Sequence, residues 1–348
     1  MPSRRKLILY SLLSAAIPAC RTSFALPRSG QPILQLMARS DYQWTGVAVS
    51  REGRIFVSFP TRSEFPSFHV GELRAGAPQP FPSRDVNESF TNVNGVQMDS
   101  RNHLWVLDSG KLLDKPIDSG SAKLVEIDVQ TRSVVGTYPI PPRLLLPESS
   151  PADFRIDPDG RYAYVSDGGA AGLIVMDLKE GEAWLGLDRT VPQTRANASF
   201  IACTHGNYRP LMPHLNGITL SDDNTLLYFT PLIATRIWSI PTRILKDRKL
   251  SSRQRTREIR TVTSEIFPSA GMVERKGQIY LGDVRHNRLA VLDAATGKVT
   301  FPSIPSPIRF ADDFVTDFTG DIWFTDSQES IPVSSRSAYR LFRLQWPR

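Results

Sequence analysis

Four residues, Asn94, Asp153, Asn216 and Asp312, each open a short β-type run, and with Thr45 and Ala270 they recur along the chain. The spacing is roughly 40 to 65 residues per step. Two carboxylates and two carboxamides brought to one place supply the oxygens that a hard cation such as Ca²⁺ or another divalent ion takes as ligands. Without such an ion, two close carboxylates repel and one tends to keep a proton. The same residue types also cap turns with their own side chains when they precede a strand, so both uses stand at this point. A second set of acids, Asp108, Asp167, Asp283 and Asp326, ends the runs that follow. Asp167, Asp283 and Asp326 are the catalytic candidates, shuttling a proton beside a carbonyl polarised by a Lewis-acidic cation.

Whether these residues meet depends on the elements that carry them. Six segments share one pattern: "TGVAVSREGRIFVSFPTR", "NGVQMDSRNHLWVLDSG", "DFRIDPDGRYAYVSDGG", "NGITLSDDNTLLYFTPL", "AGMVERKGQIYLGDVRHN" and "DDFVTDFTGDIWFTDSQ". Each runs from a short apolar alternation through a polar turn into an aromatic-rich β run. Most copies add a third strand, as in "KLVEIDVQTRS", "LIVMDLKEG" and "RLAVLDAATGK", and several a fourth. The expected fold is therefore all-β, a six-bladed propeller of four-stranded blades around a central channel. Residues 26–348 form its single domain, and "PILQLMARS" at 32–40 supplies the strand that completes the sixth blade. In such a ring the innermost strands place Thr45, Asn94, Asp153, Asn216, Ala270 and Asp312 around one mouth of the channel. The turn acids Asp99, Asp157, Asp159 and Asp317 fall at the opposite end as structural residues.

The first residues read as an export signal: Arg4, Arg5 and Lys6 precede a mostly apolar run too short to span a bilayer comfortably. The arginine pair also fits the twin-arginine pattern. Cleavage after Ala25 or lipidation of Cys20 are the two outcomes, giving a secreted or periplasmic protein with no transmembrane segment in its mature form and, in the second case, a lipid anchor. Of the two cysteines only Cys203 then remains, so no internal disulfide forms.

Removing four basic residues with the signal lowers the net charge from +7 to +3. The surplus is concentrated in "PTRILKDRKLSSRQRTREIR" at 241–260, a solvated excursion with a short helix expected after Ser251 or Ser252. One short cluster without interleaved aromatics argues against a nucleic-acid partner. Cys203, His205, Met212 and His214 in "CTHGNYRPLMPHL" are soft ligand types but match no zinc spacing; this stretch is expected to line or cover the channel mouth.

The segments "NGVQMDSRNHLWVLDSG", "DFRIDPDGRYAYVSDGGAAGLIVMDL" and "GITLSDDNTLLYFTPLIATRIWSIPTRIL" resemble the yellow and major royal jelly protein family. That resemblance implies a secreted six-bladed propeller whose axial pocket, in some members, binds small aromatic amines or acts in dopachrome conversion. More distantly the chain is similar to gluconolactonase-type propellers, which hold an axial divalent metal. Asn216 matches one of that group's ligands and Asn94 a second, whereas Ala270 and Thr45 stand where that group carries acids. The functional expectation is a binder, and on the enzymatic reading a converter, of a small cyclic or aromatic molecule at the channel mouth. A metal-dependent lactone hydrolase and a non-catalytic interaction scaffold are the alternatives.

Overall fold

The computed structural model describes residues 32–61, 65–112, 115–196, 200–204, 207–211, 213–304 and 307–346. The sequence repeat appears as six antiparallel four-stranded sheets, five of them running in chain order from an inner to an outer strand. The second blade is representative, with strands Val93–Met98, His103–Asp108, Lys123–Asp128 and Ser133–Pro139. In the sixth blade the outer strand comes from the other end of the chain. Ile33–Ser40 pairs antiparallel with Tyr339–Gln345 and fastens the ring, as the sequence implied.

The alternation within each strand explains why the blades need one another. A sheet with two apolar faces must cover both, and the buried residues fall into clusters that each span two neighbouring blades. Trp105, Leu107 and Leu124 of the second blade pack on Phe154, Val165 and Ile174 of the third. Val47, Val57 and Phe59 of the first pack on Val315, Trp323 and Leu341 of the sixth. Similar clusters fill the remaining four interfaces, so the hydrophobic core is itself a ring.

Turns between first and second strands are held by their acids, as their position suggested. Asp99 Oδ1 accepts from the backbone of Arg101 and His103, each at 2.9 Å, while its Oδ2 accepts from Trp105 Nε1 at 3.0 Å. Asp317 repeats the arrangement in the sixth blade, with Trp323 Nε1 at 2.7 Å. The basic excursion contains two short helices, Thr242–Lys246 and Ser252–Thr256. Ser251 caps the second of them in a reciprocal pair with Gln254.

An inner strand has one edge without a ladder partner, and its N–H groups still need acceptors. The neighbouring blade supplies them. Ile156 N donates to Gln97 Oε1 at 3.1 Å, Ile218 N to Asp153 Oδ2 at 3.0 Å, Glu274 N to Thr219 Oγ1 at 3.0 Å, and Val47 N to Asp313 Oδ2 at 3.1 Å.

Candidate functional site

The residues opening the inner strands do form a ring, and side-chain bonds link it from blade to blade. Thr45 Oγ1 donates to Asn94 O at 2.8 Å, and Asn94 Nδ2 donates to Pro151 O at 2.7 Å. Asn216 Nδ2 donates to Ala270 O at 2.8 Å, and Thr325 Oγ1 of the sixth blade donates to Thr45 O of the first at 2.7 Å. The glycines after several ring residues allow this close approach. A Cβ on Gly271, for instance, would lie 2.9 Å from Asp313 N.

At the axis the structure adds a residue that sequence reasoning passed over. Arg155, two positions after Asp153 and therefore on the same face of the strand, is buried in the channel. Its Nη1 donates to Asp153 Oδ1 and to Phe154 O, both at 2.6 Å. Its Nη2 reaches across to Met272 O of the fifth blade at 2.9 Å and to Phe314 O of the sixth at 3.4 Å. One guanidinium thus touches three blades. The signal for it in the sequence was an arginine two positions after an aspartate in the inner strand Pro151–Ile156.

Asp313 was also missed, standing beside the selected Asp312. It holds φ at +23°, outside the comfortable range of a side-chain-bearing residue, while its carboxylate takes the Val47 N–H. Asp153, Asp312 and Asp313 act on one another electrostatically, and burial raises all three carboxyls above their ordinary range. For Asp153 and Asp313 the charge of Arg155 opposes that rise. Asp312 has no such relief: burial first, then the charge of Glu329, pushes it up to about 7. Arg155 thus answers two of the three carboxyls, and the third, Asp312, tends to keep its proton unless a cation comes near it. On the turn side of Arg155 the channel opens into a cavity of about 220 Å³, lined among others by Gln97, Thr219 and Glu274.

The second-strand acids lie where the repeat put them, and each is buried. Their hydrogen bonds tie down blade corners. Asp167 Oδ1 accepts from Ser150 N at 2.8 Å, Gly169 N at 3.0 Å and Ala170 N at 2.9 Å. Asp326 accepts from Phe310 N at 2.7 Å and from Arg340 Nε at 3.0 Å. Asp283 holds His286 Nδ1 at 2.7 Å and Arg288 Nε at 2.9 Å. Asp108 meets Thr91 N, Asn92 N and Lys123 Nζ in the same way.

Of the soft-ligand stretch, His214 Nδ1 accepts from Ala196 N at 3.0 Å, and burial lowers its pKa. The side chain of Cys203, together with His205 and Met212, lies outside the described residues, as do the signal segment and Cys20. Asp99, His103 and Glu126 form another group with metal-ligand atoms close together. There the charge is already answered: Arg101 Nη2 lies 2.6 Å from Asp99 Oδ2 and 2.7 Å from Glu126 Oε1.

Residues 91–300, more than half of the chain, match the family model described as Major royal jelly protein. The chain belongs to the major royal jelly protein family. Protein yellow of Drosophila yakuba is 26% identical over 254 residues, covering 61% of this chain and 44% of the fly protein. The Drosophila guanche protein is 26% identical over 265 residues, with 64% and 44% covered. The chain thus spans less than half the length of these royal jelly family relatives. Among solved structures, virginiamycin B lyase from Staphylococcus aureus superposes with a TM-score of 0.53 at 14% identity, covering 90% of this chain and 99% of that one. A gluconolactonase from Xanthomonas campestris gives a TM-score of 0.54 at 14% identity, with 90% and 89% covered. At such identities the likeness to these two enzymes is one of fold.

Proposed function

We propose that this royal jelly family member is exported and binds a small, positively charged cyclic or aromatic molecule at the axial mouth. The observation that carries the reading is the crowding of carboxyls at the axis, where Arg155 pairs with Asp153 and eases Asp313 but no cation answers Asp312. A protonated amine near Asp312 supplies one and favours the ionised carboxylate. Tyramine and its neutral analogue p-cresol test this by isothermal titration calorimetry. Tyramine should bind measurably better, and Asp312→Asn should remove the difference. Equal affinity for the two compounds in the unaltered protein would exclude charge recognition and leave a filled channel in an interaction scaffold.

A divalent ion is the second occupant that the geometry favours, because the donor set suits one. Asn216 uses its amide hydrogen on Ala270 O, and among the described residues no donor reaches its oxygen. Asn94 places its oxygen 3.0 Å from Asn92 Nδ2, and the carboxyl of Asp312 lacks a cationic partner. These three residues would hold the ion, which would supply Lewis acidity toward a lactone carbonyl. The carboxylate of Asp153 is already met by Arg155 and Ile218 N, so it contributes mainly charge. Elemental analysis of the purified mature protein separates the readings: a stoichiometric divalent metal favours the lactonase type, its absence the amine binder.

Among the described residues no helix is long and apolar enough to cross a membrane. Export rests on the amino-terminal segment. Replacing Arg4 and Arg5 by lysine should retain the protein inside the cell if the twin-arginine route is used, and cell fractionation reads the result.

A further inference from the structure

A cleft of about 870 Å³ separates the fifth and sixth blades at the turn end, the face opposite Asp312. Its walls include Arg275, Lys276, Tyr280, Phe301 and Trp346. The volume falls within the range of small-molecule sites, and the lining combines two kinds of recognition group. Phe301 and Trp346 remain 44% and 38% exposed, which is costly for large apolar rings without a covering partner. Trp346 meets Tyr280 at a centroid distance of 6.2 Å in an edge-to-face arrangement, and Arg288 lies 3.5 Å over the ring of Phe301. These contacts fix the aromatic walls in place.

The charge in the cleft is one-sided. Asp321 also lines it, but its carboxylate is engaged by Arg343, by Gln345 Nε2 at 2.9 Å and by Thr319 Oγ1 at 3.1 Å. Arg275 is half-buried, and its guanidinium lies against Gly320, where any side chain would overlap it. No carboxylate among the described residues pairs with Arg275, whereas Arg54, Arg288, Arg340 and Arg343, half-buried like it, each have one. A planar, pre-positioned guanidinium without a counter-ion beside aromatic rings is an arrangement that selects a flat anion.

We propose that this cleft is a second ligand site, separate from the axial mouth, and that it takes a small aromatic anion such as an aryl carboxylate or sulfonate. Arg275 binds the acidic group, Lys276 adds charge from the rim, and Phe301 with Trp346 covers the ring. The probes are 8-anilinonaphthalene-1-sulfonate and its uncharged analogue N-phenyl-1-naphthylamine, each titrated by fluorescence into the mature protein. The sulfonate should saturate at one per chain. Arg275→Gln should weaken it by about tenfold or more and change the neutral probe less than about twofold. Lys276→Gln, at an exposed position outside the packing, should weaken the sulfonate by about two- to threefold. Trp346→Phe should cut energy transfer from protein to probe, and tyramine binding at the axis should be unaffected by Arg275→Gln. Three results would overturn the proposal: no saturable sulfonate binding, an equal loss of both probes in Arg275→Gln, or loss of sulfonate binding in Asp312→Asn. If Arg275→Gln fails to fold, the Lys276→Gln ratio between charged and neutral probe decides in its place.

Discussion

The acids at the blade corners and the acids on the axis have the same chemistry and opposite circumstances. Asp108, Asp167, Asp283 and Asp326 are buried, and each accepts hydrogen bonds from backbone N–H groups or a cationic side chain at its own blade corner. Asp153, Asp312 and Asp313 act on one another electrostatically, with Arg155 answering Asp153 and Asp313 and no cation answering Asp312. Burial alone therefore does not distinguish a structural acid from a functional one. The neighbours do: a corner acid stands apart from other carboxyls among its own donors, whereas the axial acids crowd one another and Asp312 meets no cation, so a bound cation would favour its ionised form.

Removing a corner acid should have the largest effect on the fold. Asp326→Ala leaves Phe310 N without its acceptor and removes the carboxylate that pairs with the largely buried guanidinium of Arg340, which keeps Pro307 O. Breaking a buried pair from one side costs about 3–5 kcal/mol, which urea unfolding should register with no change in the dependence on denaturant. A loss under about 1 kcal/mol would erase the distinction between corner and axis.

Arg155→Met probes the axis and should cost somewhat less, about 2–4 kcal/mol at pH 8, because the carboxyls left behind can take up protons. That escape is open only to the axial group, whose carboxyls are already raised by burial. The loss should therefore shrink on going to pH 5, and thermal melting at the two pH values checks it. A corner variant such as Asp326→Ala should show no comparable recovery.

How much of this contrast could be read from the sequence follows from what a repeat encodes. Strand order, blade number and the fastening strand Ile33–Ser40 were legible because apolar alternation and turn residues report local geometry six times over. The convergence of Asn94, Asp153, Asn216 and Asp312 on one mouth followed from the same register. The partners were not legible. Arg155 bonds across the channel to Met272 O and Phe314 O, residues more than a hundred positions away, and no local pattern announces such a contact. The corner acids illustrate the same limit. Asp167 and Asp326 look alike in sequence, but only the fold shows that one is held by three backbone amides and the other by Phe310 N and Arg340. The basic excursion was readable in its capping box at Ser251 and Gln254, while its packing through Arg255 onto Leu185 O was not.

The sharpest test of the axis is the titration of Asp312. Burial and the charge of Glu329 hold the Asp312 carboxyl up to about 7 in the folded protein, against an ordinary value near 4 in the unfolded chain. Between those values the folded state binds a proton that the unfolded state has released, so stability must fall as pH rises from about 4 to about 7 and level off above that. Asp312→Asn removes the titrating group and should flatten this part of the profile. With metal chelated and no amine present, the variant should match the parent at pH 4 and melt a few degrees above it at pH 8, since its amide can neither ionise nor repel Asp153. Adding tyramine or a divalent ion to the parent protein at pH 8 should restore the lost stability, because a bound cation makes the ionised carboxylate favourable. If the parent instead gains stability from pH 4 to pH 7 by an amount that Asp312→Asn abolishes, Asp312 is already charged and satisfied in the folded protein, and the axial mouth has no unmet need for a cation.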